Sequence, residues 1–479
     1  MSPAQSAMLA DLAAALPADA IVTDRDLIAP WETDWRRRFT GSAPAILAPS
    51  SVGEVQAIVR AAARHRVPLV AQGGNSSMVG GATPPADGGA LILSLRRLNR
   101  IRRLDAEAGI AVVEAGVVLQ ALHEAALAES MRFPLTLGAR GNATVGGLVS
   151  TNAGGTQVLR FGTMRALTLG VEAVFADGSL HDGLAALPKD NRGYDLDQLL
   201  IGAEGTLGIV TAATLRLVPA AGTRTVAWAG IADPAAGLAL LRRLQRATDA
   251  VESVEIIPDG SLAAALSHLP GARAPLAGEH PWHLLIEATA PANAEPPLAL
   301  VETVLAAAID DGLVADATIA ASEAQADAFW ALRDSLSDAE RARGPAAQHD
   351  IAVPVEAMPR FMIEAAAACE ARFAGTHASG FGHLGDGNIH FHVRAPAGAD
   401  PARWYAEDAP VISGFVHDLV VAAGGTISAE HGIGQMKRAE LARLHPPGDL
   451  AAMRAIKRAL DPLGLFNPGK LLAPEPAAP

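Results

Sequence analysis

Residues 69–81 read LVAQGGNSSMVGG, and the passage from their apolar start into the glycines sets the fold around them. Leu69-Val-Ala71 is a short apolar run with the look of a buried strand, and it feeds a loop with paired glycines at each end. Upstream, Ala45-Ile-Leu-Ala48 is another such run. Ser51-Val-Gly-Glu54 has capping-box spacing and opens an amphipathic stretch that lasts to His65. Strand, helix and strand in that order predict the start of a βαβ unit. Gly73, Gly74, Gly80 and Gly81 let successive backbone N–H groups converge on an anion, and Asn75, Ser76 and Ser77 add donors. Pyrophosphate suits such a loop, although glycine-rich loops after strands are common and this one alone does not decide the guest.

Further out, the stretch Pro134-Leu-Thr-Leu-Gly-Ala-Arg-Gly-Asn-Ala-Thr-Val-Gly-Gly-Leu-Val-Ser-Thr-Asn-Ala-Gly-Gly155 has six glycines among small hydroxyl and amide side chains. It predicts backbone passing close to a large flat ligand. The whole region from Phe133 to Pro219, poor in charge, reads as irregular backbone wrapped around something. From about Ala221 the texture changes. Thr225-Val-Ala-Trp228, Val254-Glu-Ile-Ile257 and His283-Leu-Leu-Ile286 look like strands, with a helix near Ala235–Thr248. They predict an antiparallel sheet with helices on one face, and a domain boundary near 220. Gly271–Pro281 and Pro291–Pro297 read as loops and Pro474–Pro479 as a frayed tail.

The 479 residues suffice for two or three domains, and a hydrophobic content of 50% provides their cores. The net charge is −13 with no basic block beyond Trp35-Arg-Arg-Arg38, which excludes nucleic acid as a partner. The single cysteine, Cys369, makes neither an intrachain disulfide nor an iron–sulfur site, and reads as a small buried residue. The start Met1-Ser-Pro-Ala-Gln-Ser lacks a basic segment followed by an apolar one, and no uncharged run is long enough to span a bilayer. A soluble, cytoplasmic protein is expected.

Three of the 14 histidines sit in His383-Leu-Gly-Asp-Gly-Asn-Ile-His-Phe-His-Val393. Gly380-Phe-Gly-His-Leu-Gly385 satisfies G-x-G-x-x-G, but a turn and an alternating strand follow where a dinucleotide fingerprint needs a helix. Taking Asp386-Gly387 as a two-residue hairpin turn sets His383 opposite His390, with His392 on the same face and Ile389, Phe391 and Val393 on the other. That is half of a metal site, or two cross-strand histidines on a polar face. The other half is sought in Gly424-Gly-Thr-Ile-Ser-Ala-Glu-His-Gly-Ile-Gly434, where Glu430 would complete a His–His–carboxylate set and His431 would stand by as general base. Ser322-Glu-Ala-Gln325 is a second capping box. The helix it starts puts Arg333 and Ser337 on one face, where the guanidinium could clamp a carboxylate or be simply solvated.

These motifs together, "GGNSSMVGGA", "GGLVSTNAGG", "GAEGTLGIVT", "GHLGDGNIH", "SAEHGIG" and "LFNPGK", resemble the FAD-dependent D-2-hydroxyacid dehydrogenases of the vanillyl-alcohol oxidase/p-cresol methylhydroxylase superfamily, from about Pro44 to Leu472. The resemblance implies an α+β chain. It has a p-cresol methylhydroxylase-type FAD-binding domain over 1–220, a substrate- and metal-binding domain with an antiparallel sheet covered by helices over 221–447, and a C-terminal helical tail over 448–479 that returns to the FAD domain. It implies FAD contacts from Gly73, Gly74, Asn75, Ser76, Ser77, Gly80 and Gly81, and from Leu137, Gly138, Asn142, Thr144, Gly147, Ser150 and Asn152. Glu204, Gly208, Ile209 and Asn467 complete that lining. The metal ligands fall on His383, His390 and Glu430, with zinc expected and manganese the alternative. The base falls on His431 and the carboxylate-binding arginine on Arg333. Ser337, Gln348 and His392 are placed around the substrate.

Two departures from the family pattern matter. Covalently flavinylated members carry a histidine in the first loop, whereas Gly73-Gly74-Asn75 stands here, so FAD is expected to be non-covalent. Gln348 replaces a frequent lysine that helps hold a distal carboxylate, and His392 stands where asparagine is frequent. The expected reaction is oxidation of a D-2-hydroxyacid, of D-2-hydroxyglutarate or D-lactate type, to the 2-oxoacid by hydride transfer to flavin N5. The electron acceptor is expected to be a quinone, an electron-transfer flavoprotein or a cytochrome, and the assembly a homodimer. An oxidase, an electron-transferring flavoprotein subunit and a non-redox alkyl exchange are the alternatives on the same scaffold.

Overall fold

The computed structural model describes residues 1–473; the tail Pro474–Pro479, read above as frayed, lies outside the described residues. The chain forms two compact units. One takes Met1–Gly155, Gly162–Pro219 and the chain from Glu430 onward, the other Thr156–Phe161 and Ala220–Ala429.

In the first unit the helix expected after Ser51 runs Val52–His65, and Ser51 Oγ accepts from Glu54 N at 3.3 Å. The return arm of the capping box lands one residue early, on Ser50 N at 2.7 Å. Strands β1 (Ile21–Val22), β2 (Ile46–Leu47), β3 (Leu69–Gln72) and β4 (Leu91–Ser94) make a sheet ordered β1-β2-β4-β3, with β2, β4 and β3 parallel. The expected strand–helix–strand unit is present, but β4 inserts between its strands. A four-residue apolar run shows no periodicity to reveal it. The outer edge of β3 is closed by the C-terminal segment: Leu69 N donates to Leu465 O, and Asn467 N to Leu69 O, both at 2.8 Å. Val55, Ile58, Val59, Leu69, Leu91, Leu93 and Phe466 form the core beneath the helix.

The region read as irregular between Phe133 and Pro219 is more regular than its composition suggests. It contains β8 (Thr168–Val174), β9 (Leu180–Asp182) and β10 (Ile209–Arg216). With β5 (Ile101–Asp105) and β6 (Ile110–Glu114) they build an antiparallel sheet ordered β5-β6-β10-β8-β9, and β7 (Met131–Arg132) pairs with β11 (Val218–Pro219). The central strand β10 is buried from Ile209 to Leu215, so both faces are covered and the usual apolar–polar alternation is absent. Its Thr211 hydroxyl is satisfied by the Glu172 carboxylate at 2.8 Å.

The second unit is one antiparallel sheet, ordered β15-β12-β14-β13-β17-β18-β16. Its strands are β12 (Ala221–Ile231), β13 (Val251–Pro258), β14 (Trp282–Pro291), β15 (Asp316–Ile319), β16 (Ala346–Ala352), β17 (His377–His383) and β18 (Asn388–Arg394). Helices cover both faces, not one. Ala227, Ala229, Ile389, Phe391 and Val393 pack against residues of helices Pro234–Ala247, Leu298–Asp310, Met358–Arg372 and Ala409–Ala422. Val226, Trp228 and Phe381 meet the helices Asp259–His268 and Glu323–Ala342 on the opposite side. The run Val226-Ala-Trp-Ala229 is apolar at both parities, which is the local mark of a strand covered on both faces. Cys369 is buried in the Met358–Arg372 helix, where burial pushes its thiol up to about 11, as suits a small core residue. Among the described residues no helix is long and apolar enough to cross a membrane.

Candidate active site

The first unit brings most of the residues read as FAD-lining onto connected segments. The glycine loop leaves β3 and lies against the 142–144 backbone so closely that a Cβ on Gly74 would sit 1.8 Å from Asn142 O. No other residue fits there. At the far end of the loop, Val79 O accepts from Gln435 N and Met436 N, and Gln435 Nε2 donates to Gly80 O. Asn467 Nδ2 donates to Gly81 O at 2.9 Å and Glu204 O at 2.7 Å. Glu204 N in turn donates to Ser150 O. Both Glu204 carboxylate oxygens are taken by backbone amides, of Ile433 and of Gly434, each at 2.7 Å. Burial raises the Glu204 pKa, while those amides, Lys437 and Lys470 act against it.

Whether FAD fits is answered by what remains unfilled. Thr144 Oγ1 and Asn467 Oδ1 are buried with no hydrogen-bond partner among the described residues. An ordinary fold satisfies such groups, so two orphans within one cluster point to a polar ligand. Asn75, Asn152, Glu204 and Asn467 all adopt left-handed backbone, at φ 53°, 49°, 51° and 45°. Strain of that kind gathers at binding sites. A Cβ on Gly138 would meet nothing within 4 Å, so Gly138 faces open space. Asn142 and Gly147 are exposed and Gly208 is buried. The residues present fit FAD.

In the second unit the hairpin register differs from the expected one. His383 pairs with Asn388, Phe381 with His390 and Ser379 with His392, so residues 384–387 make a four-residue connection. Asp386 Oδ1 accepts from Asn388 N at 3.0 Å and Gly387 takes φ 82°, which builds the longer turn. The slip is two residues, an even number, so His383 and His390 stay on one face as diagonal neighbours. Their ring centroids are 5.6 Å apart, and a nitrogen of one lies within 4.8 Å of a nitrogen of the other. Beside His390 on β16 stands Asp350, beside His392 stands Gln348, and the His392 ring meets Phe381 edge-on at 5.5 Å.

The strand edge beside Asp350 leads along the chain toward Glu430. Thr426 pairs with Ala352, Ala429 N donates to Asp350 O at 3.4 Å, and Glu430 is the next residue. A Glu430 carboxylate oxygen and a His431 ring nitrogen lie within 4.8 Å of each other. Arg333 and Ser337 lie one turn apart on the Glu323–Ala342 helix, both half-buried. Arg333 Nε donates to Glu255 Oε2 at 2.8 Å, and an Arg333 Nη is 3.1 Å from His383 Nε2.

Glu255 is the site residue that sequence reasoning missed. The strand Val254-Glu-Ile-Ile257 was legible, but the price of burying a carboxylate among those apolar residues is the signal that went unused. Its Oε1 accepts from His383 Nδ1 at 2.6 Å and from Ser253 Oγ at 2.8 Å. Burial would raise its pKa; Arg333 and His383 outweigh burial and hold the carboxyl well below the usual range. In the neutral tautomer with Nδ1–H given to Glu255, the lone pair of His383 falls on Nε2, the atom that Arg333 Nη approaches to 3.1 Å. Two close imidazoles, one with its tautomer set by a carboxylate, fit a borderline divalent cation.

An FAD binding domain model matches residues 43–183, and a model described as FAD linked oxidases, C-terminal domain, matches 221–471. A D-2-hydroxyglutarate dehydrogenase from Xanthomonas citri pv. viticola is 36% identical over 95% of this chain and 95% of its own length. That of Stutzerimonas stutzeri is 33% identical over 98% and 99%, and the mitochondrial enzyme of Arabidopsis thaliana 34% over 94% and 79%. Among solved structures, p-cresol methylhydroxylase with substrate bound superposes with TM-score 0.77 at 17% identity over 99% of this chain and 98% of that one. An alkyldihydroxyacetonephosphate synthase gives 0.72 at 15%, over 98% and 86%.

Proposed function

The chain belongs to the FAD-dependent D-2-hydroxyacid dehydrogenases of the p-cresol methylhydroxylase superfamily, and we propose how its own residues turn a D-2-hydroxyacid into the 2-oxoacid. FAD supplies the hydride acceptor when bound, and a divalent cation, zinc or manganese, supplies Lewis acidity. His383, His390 and Glu430 hold the cation, and FAD sits non-covalently on the glycine loop, the 137–152 stretch, Glu204, Gly208, Ile209 and Asn467. His431 takes the α-hydroxyl proton on a ring nitrogen. Arg333, whose plane is held by the bond from Nε to Glu255, binds the substrate carboxylate. Ser337, Gln348 and His392 border the substrate's side chain.

The observation that carries this reading is the meeting of His383 and His390 on one polar sheet face, with a guanidinium within hydrogen-bonding distance of the first. A hydroxyacid presents a carboxylate and a hydroxyl on adjacent carbons, and this face offers a cation-binding pair and an arginine side by side. The same reading carries a cytoplasmic location, a homodimer, and an electron acceptor of the quinone, electron-transfer flavoprotein or cytochrome class. D-2-hydroxyglutarate and D-lactate are the substrates to try first.

The test is anaerobic addition of these acids to the yellow protein, followed by loss of flavin absorbance near ~450 nm. Chelation followed by gel filtration should leave FAD bound and slow bleaching by about 10²-fold or more, with recovery on adding zinc or manganese. Full-rate bleaching by protein free of metal rejects the ligand set; no bleaching by any D-2-hydroxyacid rejects the substrate class.

A further inference from the structure

Glu255 is fully buried at the centre of three donors that all belong to the second unit: Ser253 Oγ, His383 Nδ1 and Arg333 Nε. One carboxylate therefore grips both a proposed cation ligand and the proposed carboxylate clamp, each through a different oxygen. Each grip decides something. A hydrogen on His383 Nδ1 leaves the ring's lone pair on Nε2, and a bond at Arg333 Nε locks the guanidinium plane, with one Nη 3.1 Å from that same Nε2.

The residue is placed for this by register. β13 pairs with β17 through Glu255↔His383 and Ile256↔Gly382, so Glu255 and His383 are direct cross-strand partners. Arg333 comes from the helix packed on the same face, where Phe329, Leu332 and Leu336 anchor it against Trp228 and Phe381. Ser253, two residues along the same strand, closes the remaining side of Oε1. A salt bridge with only a stabilising role would need one partner; this carboxylate satisfies three donors and points two of them at one spot.

We propose that Glu255 is a positioning residue, the buried carboxylate that fixes the tautomer of His383 and the orientation of Arg333 together. This rests on the metal site proposed above. Arg333 and His383 thus share one support, and loosening it affects cation and substrate at once. Outer carboxylates of this kind are worth about 10–100-fold in metal affinity.

The experiment compares wild type with Glu255→Gln and Glu255→Asp as flavin-loaded proteins, using zinc competition against a chromophoric chelator and steady-state kinetics with a D-2-hydroxyacid. Glu255→Gln should bind zinc about 10–100-fold more weakly with an unchanged flavin-to-protein ratio, and should raise KM even at saturating zinc. Glu255→Asp should recover part of both. If the variants fail to fold, ¹⁵N-histidine NMR of the wild type reads the same assignment: His383 must be the Nδ1–H tautomer, and an Nε2–H tautomer overturns the proposal. Wild-type zinc affinity and KM in Glu255→Gln overturn it while leaving the metal site standing. A wild-type protein that binds no zinc overturns the metal site, and this inference with it.

Discussion

Glu204→Gln removes one charge and swaps one oxygen for an NH₂ at the point where three segments of the first unit meet. Both carboxylate oxygens now accept backbone N–H groups at 2.7 Å, from Ile433 and Gly434. Glutamine can serve only one of them, and its NH₂ then faces the other amide donor to donor. A hydrogen bond to a charged group contributes roughly 1.5–3 kcal/mol, and an unsatisfied buried donor costs about 1–3 kcal/mol. Relief from burying a charge offsets part of this, which leaves a loss of about 2–4 kcal/mol. The neighbourhood has little slack to absorb it. A Cβ on Gly432 would already lie 2.9 Å from Glu204 Oε1, and Gly434 is held at φ 52° against Val79 O. Urea unfolding of the flavin-loaded protein should show the midpoint fall. FAD should dissociate more readily, and turnover should drop because His431 lies two residues before Ile433, the first amide released. Stability within about 0.5 kcal/mol of wild type, with normal FAD retention, would refute the role given to this carboxylate.

His431→Ala should remain yellow and folded while kcat falls by about 10²–10⁴-fold in anaerobic flavin reduction; near-normal turnover removes it as the base. Gln348→Lys should raise kcat/KM for a dicarboxylate relative to D-lactate, because a charge is added beside His392 on the polar face, and an unchanged ratio rejects that placement. Burial, with Arg438 adding to it, lowers the Lys470 pKa from 10.5 to about 8, opposed by Glu204. Between those values the unfolded chain holds a proton that the folded one does not, so stability rises with pH across about 8 to 10.5 and is lost as pH falls through the folded value. Lys470→Met should flatten that slope in denaturant titrations; a slope unchanged by the substitution removes Lys470 as its source.

What the amino-acid order shows most directly is what neighbours within four residues decide. Ser51 and Ser322 start helices because a hydroxyl three residues before a backbone N–H caps it wherever the chain goes. The glycine loop and the His–Gly–Ile–Gly turn are legible because only glycine tolerates such close backbone contacts. The same reasoning faltered where length or parity carried no signal. β4 is too short to show a period, β10 is covered on both faces, and the β17–β18 turn is longer than Asp386-Gly387 alone suggests.

By itself, then, the sequence determined the chemistry on offer: a glycine loop suited to an anion, histidines alternating on one strand, a carboxylate and histidine in a glycine turn. Only the tertiary structure decided the partnerships. Nothing near Glu255 in the chain foretells His383 or Arg333, which lie 128 and 78 residues away. Their meeting depends on which strand β13 pairs with and which helix lies over it, and such long-range choices are made by burying apolar surface across the whole unit, with no trace in the local pattern.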